Sequence, residues 1–277
     1  MASTPQAPIT TYDHGLSIEE LFPDNTIEEH VLETDMWAGS HKATDSAEYL
    51  ASVHGIIEPT QTTIVYPPSL YKCIDEAIVN AEDHFIRNIG TARDNPVTHI
   101  DISFSRDGRI SVLNDGRGVP IGFHSVAKMW SVELIFSVMF KGRAKTDRES
   151  KVTGDANRVG IKLANILSSE FTVETVFADD SGARQKYFQR WTNNKKNREE
   201  PVISVTSESQ YTRVTFVPDY AKTFKMTLDD MTYEQLHKLF CFRAYMAASY
   251  VGYYSGGKCR VSYQGHKLAV TNMTDLA

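Results

Sequence analysis

Cysteine is scarce in this chain of 277 residues, and Cys73, Cys241 and Cys259 lie far apart. No CxxC pair and no Cys/His spacing occurs, which excludes a zinc finger and a disulfide framework and leaves the expectation of buried free thiols. Long apolar runs are missing too: nothing approaches the ~18 residues that a membrane span needs. The opening "MASTPQAPITTYDHGLS" lacks a basic stretch followed by an apolar one, so no secretory signal is read there and a soluble, intracellular protein is expected. Positive charge is also short, with 29 Lys and Arg against 35 Asp and Glu and a net charge of −6. That sign is wrong for a domain whose main task is gripping a phosphate backbone, so any nucleic acid should be held elsewhere in the molecule.

What is present is a globular composition, 41% hydrophobic and 23% charged. Residues 1–25 are rich in Pro, Thr and Ser without periodicity, and are expected to form a flexible arm or a partner-embracing strap; residues 26–277 form the domain. "NTIEEHVLE" predicts a short helix capped by Asn25 or Thr26. From Pro67 to Ile89 the period is helical, with Leu70, Ile74, Ile78, Ala81, Phe85 and Ile89 on one face. On the opposite face Glu76, Asn80, Asp83 and Arg87 make one narrow stripe with His84 beside it. Such a stripe is either a solvated face or a site.

"THIDISFSRDGRISVLNDGRGVPI" predicts a hairpin, with Ile100, Ile102 and Phe104 inward, a turn at Asp107-Gly108, and a return through Ile110 and Val112. The return strand runs into Asn114-Asp115-Gly116-Arg117-Gly118, where glycines let backbone approach a ligand and a polar side chain at a strand end can pair with a base edge. "SVELIFSVMF" reads as an apolar helix. A long charged loop with glycines then leads through Gly160 into a helix from about Ile161 to Ser168, a natural place for phosphate. "ARQKYFQRW", "PVISVTS" and "YTRVTFVPD" read as strands, "YEQLHKLFCFRAYMAASYVG" as a helix, and "CRVSYQGHKLAV" as a closing hairpin.

In this order and spacing, "DEAIVNAEDHFIRN", "NDGRGVPI", "KVTG…N..GIKLANILSSEFTVET", "QKYFQRW" and "YTRVTFVPD" resemble the ATPase domain of type IIA DNA topoisomerases, in the GHKL superfamily, over roughly residues 30 to 270. "MWAG" and "NAEDH" are more similar to the enzymes of large DNA viruses than to cellular ones. The resemblance implies an α/β two-layer sandwich of the GHKL (Bergerat) type, a mixed, mostly antiparallel sheet covered by helices on one face, with ATP and Mg2+ as cofactors. It implies that Glu76 is the general base that orients and deprotonates the attacking water, and that Asn80 supplies an amide oxygen to Mg2+. It places Asp83 among the nucleotide-binding residues and Arg87 near the phosphates, where a helix-face ion pair is the alternative for Arg87. Asn114 falls where the family reads the adenine amine, and Thr212 matches a hydroxyl that helps hold adenine, against a plain strand Thr. Gly116 and Gly118 supply the close turn, while Asn157, Gly160, Ile161 and Lys162 match the lid around the triphosphate.

The chain departs from the pattern in the lid, which runs Gly154-Asp155-Ala156-Asn157-Arg158-Val159-Gly160 and carries Asp155 and Arg158 where the family has glycine. Gly142-Arg143-Ala144 stands where cellular relatives read Ser-Ser-Asn. These changes imply a nucleotide grip that is altered, weak, or partly transferred to Arg143 and Lys145. The transducer domain with its γ-phosphate lysine and the DNA-cleaving domains lie beyond this sequence, which is expected to be a fragment or to work with another chain. The expected function is ATP binding and Mg-dependent hydrolysis that close a homodimeric N-terminal gate, DNA being handled by the rest of the parent enzyme and no membrane being involved. The alternatives are a degenerate nucleotide-binding or interaction module without turnover, and another superfamily member such as a sensor kinase, against which Glu76 speaks.

Overall fold

The computed structural model describes residues 24–54, 61–89, 95–141 and 159–276. The arm before residue 24, Asn157, and the lid changes at Asp155, Arg158 and 142–144 lie outside the described residues.

The chain enters through helix α1 (Ile27–Glu33), started by a reciprocal cap in which Thr26 Oγ1 accepts from Glu29 N and Glu29 Oε2 accepts from Thr26 N. Strands β1 (Thr44–Glu48) and β2 (Thr62–Tyr66) pair antiparallel as a separate ribbon that the sequence reading did not foresee. The long helix α2 (Pro68–Asn88) begins on a proline, which has no N–H to leave unpaired in the first turn. Its apolar face is buried as expected at Leu70, Ile74, Ile78, Ala81 and Phe85, whereas Ile89 caps the end and is 41% exposed.

The hairpin of β3 (His99–Phe104) and β4 (Ile110–Asn114) follows in the predicted register, turning at Gly108, whose φ of +83° suits glycine. A second small hairpin, β5 (Phe123–His124) with β6 (Met129–Trp130), leads into α3 (Ser131–Ser137). Helix α4 (Gly160–Ile166) is shorter than its predicted extent. Ser168 belongs to β7 (Ser168–Ala178), the longest strand of the sheet, because "SSEFTVETVFA" alternates buried and solvent-side residues with period two. Ser168 Oγ also donates to Ala164 O at 2.6 Å, a local bond that closes the last turn of α4. Strands β8 (Arg184–Thr192), β9 (Asn197–Arg198), β10 (Val202–Val205) and β11 (Tyr211–Pro218) precede helix α5 (Asp230–Ser255) and the hairpin β12 (Arg260–Tyr263) and β13 (His266–Lys267).

Nine strands form one sheet in the order β10-β8-β7-β11-β4-β3-β12-β13, with β9 on β8; among the described residues only the β12–β3 pairing is parallel. Helix α2 packs against both α4 and α5, and α2 and α4 also touch β11 on its core side. The opposite face carries ion pairs such as Arg109 and Arg190 on Glu170, at 2.8 and 2.6 Å, and Lys186 and Arg213 on Glu174, both at 3.1 Å. One wet face and one packed face give the alternation that made the strands readable. Cys73, Cys241 and Cys259 are buried free thiols, and burial pushes Cys241 and Cys259 up to about 12, so they stay protonated.

Candidate functional site

Register lines up the core-facing residues of four neighbouring strands into rungs. Phe104, Ile110, Phe216 and Phe171 make one, and Ile102, Val112, Val214 and Val173 the next. The third rung consists of Ile100, Asn114, Thr212 and Thr175, so a core that is aromatic and then aliphatic turns polar at one end. Asn114 and Thr212 are each 7% exposed and Thr175 is fully buried.

Hydroxyl bookkeeping shows what this rung can bind. Thr175 Oγ1 donates its proton to Tyr211 O at 2.9 Å and accepts from Val119 N at 3.0 Å. The 3.0 Å contact between Thr175 Oγ1 and Thr212 Oγ1 is therefore donated by Thr212, leaving Thr212 with lone pairs only. Asn114 Oδ1 is buried without a hydrogen-bond partner. An orphaned buried acceptor costs about 1–3 kcal/mol, so two adjacent acceptors at the polar end of the sheet's core face call for a donor from outside the chain, such as an amine. Asp115, by contrast, is consumed: its carboxylate accepts from Thr98 N at 2.7 Å, His99 N at 2.8 Å and Thr98 Oγ1 at 2.5 Å, tying the turn to the start of β3.

The glycines of the turn serve close packing within the chain. A Cβ on Gly118 would lie 1.9 Å from Val176 O, and one on Gly116 2.5 Å from Val97 Cγ2 and 3.3 Å from His84 Cε1. Neither has the positive φ that marks Gly108. Gly116 thus brings the polar rung against α2 at His84, beside the Glu76-to-Arg87 stripe.

That stripe is not a solvated face. Glu76 is 9% exposed and Asp83 4%, with Asn80 and Arg87 half-buried. Lys72 Nζ lies 2.5 Å from Glu76 Oε1, and although burial opposes its charge, the hydrogen bond and charge of Glu76 hold the ammonium above its ordinary pKa. The other carboxylate oxygen, Oε2, packs against the start of α4, where a Cβ on Gly160 would come within 2.0 Å of it. A side chain there would have to push the end of Glu76 aside. Arg87 Nη2 pairs with Asp83 Oδ2 at 3.4 Å, the helix-face alternative read from the sequence, while no hydrogen bond of the Asn80 side chain to a described residue is present. In α4, Ile161 is buried in the core and can offer only backbone, and Lys162, 3% exposed, donates to Lys141 O at 3.0 Å. Among the described residues no group of three or more His, Cys, Asp or Glu side chains could hold a metal ion, so a cation here would need oxygens from a ligand besides Asn80.

The structure therefore brings Glu76, Asn80, Asp83, Arg87 and Gly160 along one helix face, and Asn114, Gly116, Gly118 and Thr212 at the adjoining sheet end. The sequence reading missed Thr175, whose signal was its place as the polar end of an alternating strand, and Lys72, one turn before Glu76.

No family model matches the chain. It is 36% identical over 220 residues to a DNA topoisomerase 2 of Acanthamoeba polyphaga mimivirus, covering 78% of this chain and 17% of that protein. It is 35% identical over 262 residues to the DNA topoisomerase 2 of Drosophila melanogaster, covering 94% of this chain and again 17% of the relative. Its fold superposes on the ATPase region of Saccharomyces cerevisiae topoisomerase II with a TM-score of 0.79 and 29% identity, over 92% of this chain and 63% of that one. The ATPase and transducer domains of DNA topoisomerase II from Balamuthia mandrillaris give 0.78 and 32%, over 91% and 62%. The chain thus spans about a sixth of the length of these curated relatives.

Proposed function

Because the chain belongs to the ATPase regions of type II DNA topoisomerases, we propose that it binds ATP with Mg2+ and hydrolyses it. The observation that carries this reading is the buried, partnerless Asn114 Oδ1 beside a Thr212 hydroxyl whose proton is committed to Thr175. Two acceptors at the polar end of the sheet's core face match the exocyclic amine of adenine. Gly116 then sets the turn against α2, whose polar stripe would lie along the triphosphate. Bound Mg2+ would neutralise phosphate charge, with the Asn80 amide oxygen as its protein ligand and phosphate and water oxygens completing its shell. Glu76 accepts a proton from the attacking water as the new P–O bond forms and the bond to the ADP leaving group breaks, a task of alignment more than covalent chemistry. Lys72 favours the ionised carboxylate that this step requires.

In this reading ATP binding and hydrolysis drive closure of a homodimeric gate, which forms in the ATP-bound state with the N-terminal arm as a strap, and passage of duplex DNA belongs to the remainder of a parent enzyme. The name DNA topoisomerase 2 carried by the relatives supports placing the chain within such a parent enzyme. Calorimetric titration with a non-hydrolysable ATP analogue and Mg2+ tests the site. Wild type binds, and Asn114→Ala and Asn80→Ala each weaken binding by roughly tenfold or more, the loss of about one buried hydrogen bond or ligand. Absence of binding by a folded wild type overturns the reading. Because Asp155 and Arg158 replace lid glycines, binding without turnover is the second reading, and a phosphate-release assay on the same samples separates the two.

A further inference from the structure

Lys72 has two carboxylates within reach and prefers one. Its Nζ is 2.5 Å from Glu76 Oε1 and 3.4 Å from Asp75 Oδ2. Helix stability does not explain the preference, since Lys four residues before Glu is the poorer order for an i,i+4 pair. The explanation lies on α5. Arg243 donates from Nε to Asp75 Oδ1 at 2.7 Å and grips Glu82 through both terminal nitrogens, at 3.0 and 3.3 Å. It is 6% exposed and Glu82 9%, so one guanidinium from the long C-terminal helix spans two turns of α2 inside the protein. Buried ion pairs are weak contributors to stability compared with apolar packing, and their best-attested use is to fix one arrangement among alternatives. Here the alternatives are two carboxylates, adjacent in sequence, competing for one ammonium. Glu48 and Tyr71 also face the Arg243 end of this network, while Cys73 is the other titratable neighbour of Glu76 on α2.

We propose that Arg243 is a positioning residue: by occupying Asp75 it keeps Lys72 on Glu76, so that the placement of α5 on α2 decides whether the water-activating carboxylate is held. This rests on the reading of Glu76 given above. The prediction about Lys72 itself does not, because it concerns the chain without nucleotide.

Crystal structures of wild type, Arg243→Met and Arg243→Met/Asp75→Asn, each without ligand, read where Lys72 Nζ sits, and steady-state ATP hydrolysis by the same chains reads the consequence. In Arg243→Met, Lys72 moves onto Asp75; where wild type turns over, kcat falls roughly tenfold, a fraction of what a general base contributes, with KM changed less than about twofold. Adding Asp75→Asn removes the competitor, returns Lys72 to Glu76 and restores kcat. A merely structural role for Arg243 would not be repaired by deleting a second charge. Lys72 remaining on Glu76 in Arg243→Met, or failing to return in the double variant, overturns the proposal, whatever the nucleotide titration shows. Should Arg243→Met not fold because Glu82 is left buried without a cation, Arg243→Met/Glu82→Gln carries the same expectations and is judged by the same two outcomes.

Discussion

The two ends of the core-facing sheet surface are built on the same strands, in the same register and on the same side, yet one is closed by packing and the other keeps a buried acceptor without a partner. At the first, Phe104, Ile110, Phe216 and Phe171 interlock, with Phe171 and Phe216 stacked at 6.2 Å between ring centroids. At the other, Asn114, Thr212 and Thr175 stand in the corresponding places and leave an acceptor without a partner. Backbone geometry is common to both, so the difference lies in three side chains. On the proposed reading, a binding site costs the fold one rung of apolar packing.

Breaking the apolar end has the largest expected effect. Phe216→Ala should lower stability by about 3–5 kcal/mol through the cavity it leaves, read from denaturant midpoints, with nucleotide affinity of the remaining folded chain nearly unchanged. Next is the joint between the ends. Gly118→Ala places a Cβ 1.9 Å from Val176 O, a clash with backbone that can yield only by moving the turn, and about 1–3 kcal/mol should be lost together with binding. Sharpening the comparison is Asn114→Leu, which converts the polar rung toward the apolar one. Calorimetry should find binding abolished, while unfolding shows a change smaller than about 1 kcal/mol, because the removed acceptor had no partner to lose. The smallest effect belongs to the outer face, which both ends share. Hydrogen bonds from Arg109 and Arg190 hold the Glu170 carboxyl below its ordinary pKa. With its folded pKa depressed, Glu170 contributes stability above the ordinary glutamate value and loses it as pH falls through the lowered one. Glu170→Gln should therefore flatten the acid limb of the stability profile slightly and leave neutral-pH nucleotide binding untouched.

The apolar end was largely legible in the sequence. Alternation at Ile100, Ile102 and Phe104 and the helical period through Leu70 to Phe85 follow from burial on one face, and burial leaves a periodic trace. The stripe Glu76, Asn80, Asp83 and Arg87 was visible as a pattern, but whether it was wet or walled in depended on Gly116, which packs against His84 beside the stripe, and on Gly160, both of which reach α2 from distant parts of the chain. The β7 boundary was harder because "ILSSEF" continues an apolar run across a change of period, and only pairing with β11 and β8 shows where the strand begins. Arg243 left no local sign at all: an arginine in the middle of an apolar helix acquires meaning only from Asp75 and Glu82 on another element.

Because the polar rung takes one residue from each of β3, β4, β11 and β7, no hairpin or fragment of this domain contains it. On the proposed reading the site comes into being only with the whole sheet, and should be lost when the sheet unfolds. Ligand occupancy and global unfolding are therefore two readings of one equilibrium. A nucleotide held at that rung at a hundred times its Kd would raise the unfolding free energy by about 2.7 kcal/mol. The melting temperature of this protein should accordingly titrate with nucleotide, turning a scan of heat stability into a binding isotherm.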